Sequence, residues 1–105
     1  MTIINNTIMG GLAGDALTTG AYNVAIGYQA LSAEDAHGRN VAIGYQALLV
    51  QDAGADGYNT AIGMNAGKAV STGVNNTLLG YDAGVALAGG DNNIIIGSGA
   101  AASAV

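Results

Sequence analysis

Residues 23–31 read NVAIGYQAL, and the same nine residues return at 40–48. A near copy, NTAIGMNAG, occupies 59–67. Alignment on its motif glycine extends the series to six pentapeptides: NTIMG at 6–10, NVAIG at 23–27 and at 40–44, NTAIG at 59–63, NTLLG at 76–80 and NIIIG at 93–97. Successive motif glycines are 17, 17, 19, 17 and 17 residues apart. The longer interval carries its two extra residues in QDAGADGY, in the stretch Asp52 to Tyr58, so a loop absorbs them. A period this short and this regular marks a repeat architecture.

Aliphatic or β-branched residues stand two apart within each copy, as in Val24 and Ile26 or Thr60 and Ile62, which is strand period and not helix period. Eighteen glycines in 105 residues also oppose a helix, at up to about 1 kcal/mol per internal glycine relative to alanine. The absence of proline and of a Gly-X-Y period excludes collagen. The spacing predicts a single all-β domain over 1–105, a parallel β-solenoid (β-roll or β-helix) of about six 17-residue rungs. Each rung is expected to hold a strand on N-x-x-I-G, a tight bend, a second short strand through Ala-Leu or Ala-Gly, and a loop returning to the next Asn.

The columns of the repeat assign structural roles. The leading Asn (Asn23, Asn40, Asn59 and Asn76 in the inner copies) either caps the turn or stacks as an amide ladder. The motif glycine (Gly27, Gly44, Gly63, Gly80) marks a bend that needs positive φ or close backbone approach. Ile26, Ile43 and Ile62 are expected to be the buried strand residues, and Ala30, Ala47, Ala66 and Ala83 stand three residues after each glycine. The residue following the glycine gives a partial aromatic column, Tyr28, Tyr45 and Tyr81, interrupted by Met64. It is a candidate ladder for a subunit contact or a flat glycan. All the charges except Asp82 lie five or more residues beyond a motif glycine, which places the return loops, Asp35 among them, in water.

Composition narrows the function. Net charge is −5, with Arg39 and Lys68 the only basic side chains besides His37. Nucleic acid and anionic membrane surfaces are therefore poor partners, and no run of about 18 apolar residues supports membrane insertion. The N-terminal MTIINNTIMGG lacks the basic and apolar regions of a signal peptide. With one His, no Cys and only four Ser, no nucleophile, base and orienting group can be assembled, so no catalytic residue and no cofactor is expected. His37, in AEDAHGR, has no second His or Cys to complete a zinc site and reads as a solvated loop side chain, with no metal expected. Asp91, in AGGDNN, resembles a calcium nonapeptide only in a single copy with the wrong spacing.

Phe and Trp are absent, so the core of one chain is thin. The Ala and Gly columns accordingly predict a close-approach face on which several chains share a core. Residues 1–14 and 92–105 carry no charged side chain, so the end rungs lack the polar caps that solenoids use and invite end-to-end stacking.

The pattern N-[TV]-A-I-G-x-x-A-[LG] resembles the head repeats of trimeric autotransporter adhesins and the NTAxGYQAL-type repeats of bacteriophage tail fibres, over about residues 6–101. The resemblance implies three chains packed along a common axis as a spacer or surface-attachment segment, located outside the cell, at the cell surface or on a virion, with a cell-surface glycan or receptor as candidate partner. The adhesin repeat is shorter than this one, and neither a heptad stalk, a membrane anchor nor a self-cleaving chaperone domain is present in the sequence. The alternatives are a subunit that polymerises end to end into an extracellular filament, and an ice- or glycan-binding solenoid. The mixed second motif position, Thr7, Val24, Val41, Thr60, Thr77 and Ile94, argues against ice.

Overall fold

The computed structural model describes residues 5–34 and 36–101. Each pentapeptide forms one three-residue strand: β1 Thr7–Met9, β2 Val24–Ile26, β3 Val41–Ile43, β4 Thr60–Ile62, β5 Thr77–Leu79 and β6 Ile94–Ile96. They pair in chain order as one parallel six-stranded sheet. Equivalent residues face one another on successive rungs: Val24 pairs with Val41 and Val41 with Thr60. The chain is an all-β solenoid.

The expected second strand is replaced by turns. Gln29 (φ 57°) and Leu31 (φ 52°) both lie in the left-handed region, as do Gln46 (φ 56°) and Leu48 (φ 50°). Left-handed residues at alternate positions cannot continue an extended run. Rungs still bond to one another there, through Leu31 N–H to Ala47 O and Leu48 N–H to Ala66 O, both 3.0 Å. A further left-handed residue precedes every motif Asn: Asn5, Tyr22, Arg39, Tyr58, Asn75 and Asn92. These kinks curl each rung back on itself.

The inward phase of the strand is one residue away from that expected. The central strand residue points in: Ala25, Ala42, Ala61 and Leu78 are fully buried, whereas Ile26, Ile43 and Ile62 are only half-buried on the outside. The Ala column faces inward as well, with Ala30, Ala47, Ala66 and Ala83 fully buried within one chain. The small residues therefore line the bore of a single coil, and the shared-core argument built on them fails.

Side-chain volume explains how so narrow a coil is filled. Rungs with Ala at the central strand position carry Leu four residues after the motif glycine, as in Ala25 with Leu31 and Ala42 with Leu48; rungs with Ile8 or Leu78 carry Gly14 or Gly84 there. In the fourth rung both positions are small, Ala61 and Gly67, and its neighbours fill the space. A Cβ on Gly67 would lie 2.7 Å from Leu78 Cδ1 and 3.0 Å from Leu48 Cδ2. Leu17 and Val70, seven residues after their motif glycines, are also fully buried, so this complementary pair and that column fill the interior together, shared between rungs where needed.

The motif glycines satisfy both of their expected reasons. Gly44 has φ 132°, and a Cβ there would sit 2.6 Å from Gly63 O. The Asn column is an amide ladder. Asn23 N–H donates to Asn6 Oδ1 (2.9 Å), Asn40 N–H to Asn23 Oδ1 (3.0 Å), and Asn76 N–H to Asn59 Oδ1 (3.0 Å). Three of the amide nitrogens then reach across their own coil: Asn6 to Gly20 O (2.8 Å), Asn59 to Gly73 O (3.0 Å) and Asn76 to Gly90 O (2.8 Å). The ladder thus satisfies buried polar groups both between rungs and within them.

The extra residues of the third coil lie outside this framework. Asp52 N–H bonds to Ser71 O (2.8 Å) and Gly57 N–H to Gly38 O (3.0 Å). Only the segment 53–56 is longer than its counterpart in the second coil. Pairing resumes at Gly57 and continues at Asn59, whose N–H donates to Asn40 Oδ1 at 3.2 Å.

Candidate functional site

Because the central residue of each strand points inward, the flanking residues make two continuous ladders on the outside. One runs through Thr7, Val24, Val41, Thr60, Thr77 and Ile94, and the other through Met9, Ile26, Ile43, Ile62, Leu79 and Ile96. None of these strand residues is charged. Five steps between strands of about 4.8 Å make the face about 24 Å tall. Exposure is high at both ends, with Met9 at 65 % in the first rung and Ile94 at 78 % and Ile96 at 64 % in the last. The inner side of the sheet is filled by Ala25, Ala42, Ala61, Leu78 and Ile95, with Ile8 packed against them.

Past the bend stand Tyr28, Tyr45, Met64 and Tyr81, all exposed. The rings of Tyr28 and Tyr45 stack with centroids 5.7 Å apart and planes 16° from parallel. Beside them the amides of Gln29 and Gln46 bond at 2.8 Å, and Asn65 Nδ2 donates to Asp82 Oδ1 at 3.1 Å. The column just before the motif Asn adds a second aromatic set missed in the sequence: Tyr22 and Tyr58 are exposed, and Arg39 lies 4.9 Å from the centre of the Tyr22 ring. Arg39 also pairs with Asp56 at 2.6 Å.

Comparison of the chain with protein-family models, curated proteins and solved structures returns no match. Its surfaces therefore have to be read from their own chemistry. No helix among the described residues is long and apolar enough to cross a membrane.

The structural repeat residues Asn23, Asn40, Asn59 and Asn76, Gly27, Gly44, Gly63 and Gly80, and Ala30, Ala47, Ala66 and Ala83 all occupy the ladders just described. Two ionisable residues depart from expectation. Glu34 is fully buried and not in a water-facing loop. It stands in the column Leu17, Glu34, Gln51, Val70 and Leu87, which is aliphatic except in the second and third coils. His37 is not freely solvated: its side chain is 35 % exposed, its backbone N–H donates to Glu34 Oε1 (3.1 Å), and its Nδ1 lies 3.7 Å from that oxygen. Asp35 lies outside the described residues.

Gln51 has a local reason for its burial. In the third coil the longer loop displaces the carbonyl that other Asn side chains reach. Asn40 Nδ2 instead contacts Gln51 Oε1 and Gly38 O, each at 3.2 Å. Aligning the repeat column by column would have exposed both polar intruders, because each replaces an aliphatic residue of its column.

Proposed function

We propose that the chain is a non-enzymatic structural fibre module, a solenoid segment that assembles with copies of itself and serves as a spacer or surface-attachment element of a tail fibre or adhesin. The observation that carries this reading is the outer face of the sheet, two uncharged ladders of Thr, Val, Ile, Leu and Met running through all six rungs. Exposed apolar faces of such continuity mark interaction sites. Flat faces related by a rotation axis can close into a discrete oligomer. Three copies is the number implied by the repeat resemblance. Such a module acts outside the cell, at its surface or on a virion, and the Tyr column is the place for a glycan or receptor contact.

Light scattering on the purified chain tests this reading. A mass near three times 10.2 kDa is expected, and Ile43→Glu with Ile62→Glu should return it to one chain mass with unchanged circular dichroism. A wild-type monomer at high concentration overturns it.

A second reading rests on the ends of the sheet. Among the described residues, strands β1 and β6 each have one paired neighbour, so end-to-end addition of another copy would continue the ladder into a filament. Electron microscopy distinguishes the two, through short particles or long fibres.

A further inference from the structure

We propose that Glu34, His37 and Asp52 form a binding site for a divalent transition-metal ion of the zinc class, which ties the second coil to the third where the repeat is interrupted. One donor atom from each of these residues lies within 4.8 Å of the other two. Glu34 and His37 are both departures from the repeat. Glu34 stands in an otherwise aliphatic column apart from Gln51, and His37 occupies the position held by Gly20, Gly73 and Gly90 in other coils. A coil of this fold needs neither side chain, yet the structure brings the two together, and Asp52 joins them from the next rung.

The chemistry of the set fits a cation. His37 Nδ1 is shielded from solvent and makes no hydrogen bond among the described residues. It faces the fully buried Glu34 carboxylate at 3.7 Å. Glu34 Oε1 also accepts from the His37 N–H at 3.1 Å, which orients the carboxylate within the cluster.

Donors about 2.0–2.2 Å from a tetrahedral zinc ion stand about 3.4 Å from each other. The Glu34–His37 pair is already close to that separation. Asp52 is exposed, so rotation of its side chain completes the third bond and leaves the fourth position to water. An imidazole with two carboxylates selects transition cations over magnesium or calcium, which prefer oxygen-only shells. The backbone around the site is already fixed, because Asp52 N–H bonds Ser71 O and His37 O accepts from Asn23 Nδ2.

The test adds Co²⁺, and then Zn²⁺, to the full-length chain at neutral pH. Co²⁺ is expected to give the visible absorption of a tetrahedral site, saturating at about one equivalent per chain and lost when Zn²⁺ displaces it. Zn²⁺ should raise Tm while Mg²⁺ leaves it unchanged. His37→Ala and Asp52→Asn should each abolish the Co²⁺ band while keeping the circular dichroism and Tm of the metal-free wild type; His37→Ala returns that position to a small residue, as in the neighbouring coils. No band and no Tm rise at millimolar metal would overturn the proposal, as would a band of equal intensity in His37→Ala or a Tm rise that Mg²⁺ reproduces.

Discussion

Asn40 Nδ2 lies 3.2 Å from Gln51 Oε1, a side-chain acceptor in a ladder whose other amides reach main-chain carbonyls or one another. Gln51→Leu would restore the aliphatic column and remove one of three acceptors around Asn40 Nδ2, leaving Gly38 O (3.2 Å) and Asn23 Oδ1 (3.3 Å), and should cost about 0.5–1.5 kcal/mol. Deleting Gly54 and Ala55 gives the third coil the length of the second, so the same substitution should then cost less than half as much. Urea denaturation of the four chains checks this coupling. Additive effects would show that Gln51 and the longer loop are unrelated.

The amide ladder itself is tested at Asn59. Its Oδ1 accepts from Asn76 N–H and Nδ2, and its Nδ2 donates to Gly73 O. Asn59→Ala strands buried groups on two rungs and should cost about 3 kcal/mol or more, at about 1–3 kcal/mol per unsatisfied group. Asn93→Ala, in the half-buried last rung, should cost clearly less by thermal melting.

Packing between rungs predicts a compensation. Leu78→Ala alone should cost about 2–5 kcal/mol, and Gly67→Leu alone about 1–3 kcal/mol through overpacking against Leu48 and Leu78. The double variant gives the fourth rung the Ala-Leu pairing of the second and third. It should be more stable than the sum of the single effects by at least about 1 kcal/mol, as expected for residues in contact.

Two glycines with positive φ separate backbone approach from conformational preference. Gly44→Ala drives a Cβ into Gly63 O, which cannot retreat without breaking the sheet, and should cost more than about 4 kcal/mol. Gly54→Ala, at φ 73° with open space around it, should cost about 1–2 kcal/mol. Equal melting temperatures for the two variants would refute the close-approach argument.

The strands, their register and the Asn and Gly columns are legible in the sequence because each is a backbone requirement repeated at every rung. The inward phase is not. Hydropathy favours Ile43 over Ala42 as the buried residue, but Leu48 already takes the interior volume, so the smaller side chain turns in. The same blindness to volume makes the Ala column look like a surface for another chain. Glu34 and His37 stand three residues apart in one return loop, where charge ordinarily means water; only the stacking of coils adds Asp52 to them.

Among the described residues every contact between strands is with the rung directly before or after, and none skips a rung. Under tension along its axis such a module has no remote contact that must break first. It should peel from an end, one coil at a time, each step releasing a 17-residue coil, or about 60 Å of contour length. A fibre made of these coils would extend under load in small graded increments, and a torn coil could rewind on the template of the rung beneath it.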